Sequence, residues 1–241
     1  MRAEFSEFQF GYSVTKEIED EYYENIIPFI PNQRQEADVG YDVRFTGEFT
    51  TLYLQYKLAE LLTNEKAKEW EDFEQKYFRF KIYPANVSTQ HNTLYDLANS
   101  DSRNKVYYCA PLFITLSNFI RCHSTPAILS QSVAVNCKNL QRIAEDDKHC
   151  FCYAINNDTL EGNMYSNKYS VKVFRLSEVL KYKETNELNI YKNFDDFETN
   201  IYNFIKNEKN MKEYLTNKFS KVLDIFLKMN NLNLYFIPIH R

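Results

Sequence analysis

Short segments in which hydrophobic and polar residues alternate recur along the chain and predict β-strands. Successive side chains of a strand point to opposite faces, so alternation is typical of a strand with one buried face. A continuous apolar run instead indicates a strand that is buried on both faces. Together these patterns predict strands at 42–46, 51–57, 77–84, 106–113, 127–137, 150–155 and 169–176, with a strand or ordered arm at 5–12.

Apolar residues at spacings of three and four predict helices between these strands. Helices are expected to begin at Thr15, to follow Lys57 through the segment AKEWEDFEQ, and to begin again after Ser88. Two amphipathic helices, or one kinked helix, are expected over 194–230. The order of elements predicts an α/β (α+β) fold, with a mixed central β-sheet flanked by helices.

The change of pattern towards the C-terminus predicts two parts of the chain. Residues 1–185 would form the α/β core, and residues 186–241 would form a C-terminal helical extension. The extension would pack on the core, or would form the surface for a homodimer or a partner protein.

The first predicted hairpin brings polar side chains together. If the chain turns at Gly47–Thr50, Val43 lies opposite Leu54 and Asp42 lies opposite Gln55, while Lys57 shares the face of Gln55. Opposed residues of an antiparallel pair have Cβ atoms about 4.5–5.5 Å apart, which is close enough for two side chains to share a cation. An amide and an ammonium inside the apolar run LYLQYK favour a site, the alternative being a surface hairpin with solvated polar residues.

Mg²⁺ prefers oxygen ligands and is commonly held by one or two carboxylates and by substrate phosphate. Asp42 would supply a charged oxygen and Gln55 a carbonyl oxygen, while Lys57 would orient the attacking water or stabilise charge that develops on phosphorus.

An Asp on one strand followed by Glu or Gln, any residue and Lys on the next resembles the signature of the PD-(D/E)XK nuclease superfamily. Asp42 with Gln55-Tyr56-Lys57 is similar to the QXK variant of restriction-endonuclease-like proteins, over residues from about 15 to about 115. The resemblance implies a restriction-endonuclease-like core with Mg²⁺ or Mn²⁺ as cofactor. It also implies hydrolysis of DNA phosphodiester bonds by an endonuclease, in defence against foreign DNA.

The segment departs from the family pattern at two positions. No proline precedes Asp42, and Gln55 stands where Glu is commoner, so the metal site has one negative charge fewer. Glu36, six residues before Asp42, is the first candidate for a carboxylate that would compensate, and we expect it to be a third metal ligand and catalytic residue. Other carboxylates precede the hairpin, and those on the preceding helix would take the place of the family's helix-borne Glu. These further candidates are Glu21, Glu24 and Asp38.

The start of the helix after Ser88 would lie near the hairpin in a fold of this type. Free backbone N–H groups at a helix N-terminus favour phosphate. Gln90 and His91 are therefore predicted to bind substrate, the alternative for His91 being an ordinary surface residue.

Composition limits the choice of function. The 241 residues are 44% hydrophobic, which favours a globular fold, and contain no P-loop, GxGxxG or HExxH motif. The net charge of −4 weakens nonspecific attraction to nucleic acid and supports an alternative function, a catalytically inactive nuclease-like subunit of a larger complex.

Cysteine spacing and the absence of long apolar runs bear on location. The five cysteines match none of the usual paired zinc patterns, so free thiols in a reducing compartment are expected and zinc is disfavoured. No run reaches the roughly 18 apolar residues of a membrane span, and we expect a cytoplasmic protein with no membrane partner.

Overall fold

The computed structural model describes residues 1–21, 28–46, 51–144, 149–165 and 168–180. The chain divides into two compact units, Met1–Ile190 and Tyr191–Arg241, whose residues contact mainly other residues of the same unit. The second unit, the boundary expected at 185 and the helices predicted over 194–230 lie outside the described residues.

Helices and strands alternate through the described part of the first unit. The helices are α1 (Glu7–Glu21), α2 (Gln33–Val39), α3 (Gln90–Ser100) and α4 (Leu116–Ser124). The strands are β1 (Pro28–Phe29), β2 (Val43–Thr46), β3 (Thr51–Tyr56), β4 (Glu60–Leu62), β5 (Tyr77–Ile82), β6 (Asn104–Pro111), β7 (Ser132–Asn136), β8 (His149–Asn156), β9 (Thr159–Tyr165), β10 (Tyr169–Ser170) and β11 (Val173–Arg175). None of the described helices is both long and apolar enough to cross a bilayer.

A six-stranded mixed sheet carries the predicted hairpin. Its strand order is β1-β2-β3-β6-β7-β11, in which β3 and β6 run parallel and the other neighbours run antiparallel. Side chains of α1 pack on one face of this sheet, where Phe10, Val14 and Ile18 join the core formed with Leu54. The predicted fold class, a mixed sheet with helices against it, is confirmed.

A second sheet is antiparallel, with the strand order β10-β9-β8-β5-β4. It contains the strands predicted at 77–84 and 150–155, which therefore do not extend the central sheet. Phe80 and Phe151 from this sheet share a hydrophobic core with Val106 and Val135 from the first. The two sheets thus pack face to face, and β3 and β6 are covered on both sides.

Two local predictions are wrong. Residues 5–12 are not a strand, because α1 begins at Glu7. The buried residues Phe10, Val14 and Ile18 recur every four residues, whereas Phe8 is 82% exposed, so the aromatic alternation does not follow burial. The helix expected after Lys57 is also wrong: β4 forms there by pairing with β5, and only a short 3₁₀ turn follows at Trp70–Asp72.

Gly11 allows α1 to approach the hairpin closely. A Cβ atom on Gly11 would lie 2.5 Å from Cδ2 of Tyr56, a distance that packed atoms do not tolerate. Thr15, one turn further along α1, bonds the Tyr56 hydroxyl at 2.9 Å. The first turns of α1 are therefore held directly against the strand that carries Gln55.

Candidate active site

The register of the hairpin is as predicted. Val43 pairs with Leu54, and the backbone N–H of Asp42 donates to the Leu54 carbonyl at 3.0 Å. The side chains meet as well, because Oδ2 of Asp42 accepts from Nε2 of Gln55 at 2.8 Å and from the backbone N–H of Tyr56 at 2.6 Å. Asp42 and Gln55 are thus in direct contact.

The Asp42 carboxyl is strongly perturbed. Burial raises its pKa from 3.8 to about 7, the hydrogen bond from the Tyr56 backbone opposes the rise, and the nearby charges of Glu7 and Glu36 add to it. Lys57 lowers the same pKa, but by less than burial raises it. Asp42 therefore exchanges its proton near neutral pH, unlike an ordinary surface carboxylate.

Gln55 carries a buried oxygen that lacks a partner. The residue is 1% exposed, and its Nε2 donates to Asp42 and to the Tyr56 carbonyl. Its Oε1 has no hydrogen-bond donor among the described residues. Buried acceptors are normally satisfied, so this oxygen marks a place where a cation or a donor from outside the chain would fit.

Lys57 lies beside these groups and is held by α3. Its Nζ donates to Oε1 of Gln90 at 2.8 Å and lies 5.9 Å from the ring centre of Tyr108. Burial lowers the pKa of Lys57, while the negative charges of Glu7, Asp42 and Glu36 raise it. The structure therefore brings Gln90 to the hairpin, as the sequence predicted.

A carboxylate that the sequence analysis missed also reaches this place. Glu7, in the first turn of α1, affects the pKa values of both Asp42 and Lys57 more than Glu36 does. Its own pKa is raised by burial of the carboxylate, against the lowering effects of Lys57 and of a hydrogen bond from the Leu58 backbone. The side chain as a whole is solvent-exposed, so only its carboxylate end is shielded.

The other acidic candidates have different positions. Glu36 is half-buried on α2 and close enough for its charge to act on Asp42, whereas Asp38 is exposed. Glu21 ends α1, about 21 Å along the helix axis from Glu7. Glu24 lies outside the described residues. The helix-borne carboxylate at the hairpin is Glu7, which would have been found had α1 been predicted to begin before Thr15.

His91 does not lie on the surface. It is 2% exposed, and its Nε2 donates to the Gln141 carbonyl at 2.9 Å while Nδ1 lies 3.1 Å from the Tyr108 hydroxyl. Because the carbonyl can only accept, Nε2 carries the proton and Nδ1 accepts from Tyr108. Burial lowers the pKa of His91. The contact between His91 and substrate stays a prediction; in the structure its ring stacks on Tyr108, whose ring centre lies 5.9 Å from Nζ of Lys57.

The name hairpin site is used here for four groups: Asp42 and Gln55, which are in contact, and Glu7 and Lys57, whose charges act on Asp42. Comparison of the chain with protein-family models, with curated proteins and with solved structures gives no match. The chemistry of the hairpin site therefore has to be argued from its own residues.

Proposed function

We propose that the protein is a Mg²⁺- or Mn²⁺-dependent nuclease that hydrolyses DNA phosphodiester bonds at the hairpin site. The observation that carries this proposal is the unpartnered Oε1 of Gln55, buried beside a carboxylate with a pKa of about 7. The resemblance to restriction-endonuclease-like proteins extends the proposal to defence against foreign DNA.

The donors of the hairpin site suit a hard divalent cation. Asp42, Gln55 and Glu7 would hold the ion through oxygen atoms only, and Glu36 is near enough to add charge. When bound, the ion supplies Lewis acidity to a phosphoryl oxygen and lowers the pKa of a bound water. Asp42 exchanges a proton for the ion, so binding is favoured above pH about 7.

Lys57 supplies the positive charge that phosphoryl transfer requires. An ammonium group has three donors, and one of them is directed to Gln90. This hydrogen bond orients Nζ without removing its charge, so Lys57 can donate to the attacking water or to an oxygen of the phosphate. Gln90 is accordingly a positioning residue.

One observation favours the second candidate function, an inactive nuclease-like subunit. Two arginines that would attract phosphate are already paired within the chain. Arg79 pairs with Glu60 at 3.2 Å and Glu69 at 3.6 Å, and Arg103 pairs with Asp101 at 2.5 Å. Each pair reduces the positive field available for DNA, in line with the net charge of −4.

A cleavage assay distinguishes the two functions. Plasmid and linear duplex DNA are incubated with the full chain in Mg²⁺, in Mn²⁺ and in EDTA. We expect metal-dependent cleavage that is lost in Lys57→Met and Asp42→Asn, but kept in Lys66→Met, which removes an exposed lysine. Absence of cleavage by the wild type in both metals over pH 7–9 would refute the nuclease proposal. Cleavage of RNA alone would refute the assignment of DNA as substrate.

A further inference from the structure

Two cysteines and a glutamate meet on the second sheet, away from the hairpin site. Cys150 and Cys152 lie two residues apart on β8, so their side chains point to the same face of the sheet. Glu69, from the segment between β4 and β5, faces them, and the three ligand atoms lie within 4.8 Å of one another. Sγ of Cys150 is 3.8 Å from Oε1 of Glu69.

The Glu69 carboxylate is held so that its two oxygens face different partners. Oε2 accepts from the Tyr77 hydroxyl at 3.0 Å and lies 3.6 Å from Nη1 of Arg79. Oε1 faces Cys150. Metal-binding carboxylates are commonly fixed through a second oxygen in this way, by groups that do not touch the metal.

We propose that Glu69, Cys150 and Cys152 form a zinc site that is open on one side. Zinc bonds to oxygen and sulfur are about 2.0–2.3 Å long, so the ligand atoms of a tetrahedral site lie about 3.3–3.8 Å apart. The three ligand atoms here lie within 4.8 Å of one another, so small side-chain movements would bring them to these distances. Two thiolates select zinc over Mg²⁺, which prefers oxygen. Glu69 and Cys150 also line a cleft of about 930 Å³, and water from this cleft completes the coordination.

Electrostatics around the cluster support the binding of a divalent cation. The Cys152 thiol hydrogen-bonds to Cys150 and lowers its pKa, while burial raises the pKa of Cys152 itself. A divalent ion would balance the charges of two thiolates, and Arg79 already lies 3.6 Å from the Glu69 carboxylate.

The spacing of these residues in the sequence did not predict this site. Two cysteines separated by a single residue do not match a paired CxxC pattern, and their third partner lies 81 residues before Cys150. The pairing of β5 with β8 places Arg79 opposite Cys152, and Tyr77 and Arg79 of β5 contact Glu69, so the three residues become neighbours only in the folded chain.

The test uses the reduced, metal-stripped full chain with the Asp42→Asn substitution, which removes a carboxylate from the hairpin site. Zinc is titrated in competition with a chromophoric chelator, and Co²⁺ is used as a spectroscopic substitute. We expect one zinc per chain, a thiolate-to-cobalt charge-transfer band, and at least a tenfold loss of affinity in Cys150→Ser and in Glu69→Gln. Cys122→Ser, which changes another buried cysteine, should bind zinc with unchanged affinity.

Three results would overturn the zinc proposal. The first is less than one zinc per chain, and the second is equal affinity in Cys150→Ser and Cys122→Ser. The third is a Cys150–Cys152 disulfide that persists when the protein is purified with zinc, detected as a loss of two hydrogens by mass spectrometry. Cys150 is partly exposed, so its serine variant is expected to fold, and thermal unfolding of each variant checks this.

Discussion

Replacing Asp42 by asparagine should stabilise the metal-free protein while removing the nuclease activity that we propose. The asparagine carbonyl can accept from Gln55 and from the Tyr56 backbone as Oδ2 of Asp42 does, so the hydrogen bonds are kept. What is lost is a carboxylate whose charged form is disfavoured by burial and by Glu7.

The size of this effect follows from the pKa of Asp42. One pKa unit corresponds to about 1.36 kcal/mol, so a rise from 3.8 to about 7 gives an upper limit of about 4 kcal/mol. A carboxyl whose pKa is higher in the folded state binds more protons there than in the unfolded state. The contribution of Asp42 to the free energy of unfolding is therefore greatest below pH about 4 and falls as the pH rises to about 7. The stabilisation by Asp42→Asn should therefore be small at pH 4 and fully developed at pH 8.

Urea denaturation of both proteins at pH 4.5, 6 and 8, with EDTA and then with Mg²⁺, measures these changes. Mg²⁺ should stabilise the wild type at pH 8, by about 2.7 kcal/mol at a hundredfold excess over Kd, and should not stabilise Asp42→Asn. The exposed carboxylate of Asp38 provides the control, since Asp38→Asn changes the net charge equally. We expect Asp38→Asn to alter stability by less than about 0.5 kcal/mol.

Two outcomes would refute this reasoning. If Asp42→Asn destabilises the metal-free protein at pH 8, the carboxylate is not held against its preference. If the free energy of unfolding of the two proteins has the same pH dependence between 4.5 and 8, Asp42 does not titrate near neutral pH.

Three further substitutions probe the hairpin site. Gln55→Glu should destabilise the metal-free protein by about 1–3 kcal/mol at pH 8, because a second carboxylate replaces a donor, and Mn²⁺ should restore the loss in thermal unfolding. Glu7→Gln should weaken Mg²⁺ binding at least tenfold in calorimetry. The control Glu19→Gln, on the exposed face of α1, should leave Mg²⁺ binding unchanged. Equal Mg²⁺ affinities of the two variants would show that Glu7 does not belong to the site. Gly11→Ala should cost about 1–3 kcal/mol in urea denaturation, because its Cβ would meet the Tyr56 ring, and an unchanged midpoint would contradict that contact.

The hairpin could be predicted from sequence because its determinants are local. Four residues separate β2 from β3, and this short spacing together with the alternation along both strands fixes which residues face each other from Val43 to Thr46. The start of α3 near Gln90 could be predicted for a similar reason, whereas the position of Gln90 beside the hairpin was expected only from the resemblance to the nuclease superfamily.

Positions set by contacts between distant segments could not be predicted. Glu7 reaches the site because Gly11 lets α1 pack closely on β3. The helix itself was not predicted there, because exposed aromatic residues such as Phe8 do not follow the helical spacing of the buried residues. The second sheet depends on β5 pairing with β8, whose partners lie about 70 residues apart in the sequence. Alternation alone predicts that a segment is a strand but does not say which sheet it joins.

Buried polar groups of two kinds can be told apart in this structure. Glu17 is 6% exposed, yet its two oxygens accept the backbone N–H groups of Ile128 and Leu129 at 2.8 and 3.1 Å, which fixes the chain before β7. At the hairpin site, by contrast, the Gln55 oxygen has no donor among the described residues, and burial disfavours the charged forms of both Asp42 and Lys57. Folding alone explains a buried group such as Glu17, whose hydrogen bonds are satisfied. It does not explain the unpartnered Gln55 oxygen together with the disfavoured charges of Asp42 and Lys57. Because these features coincide beside β3, a strand buried on both faces, we infer a site that binds something from outside the chain.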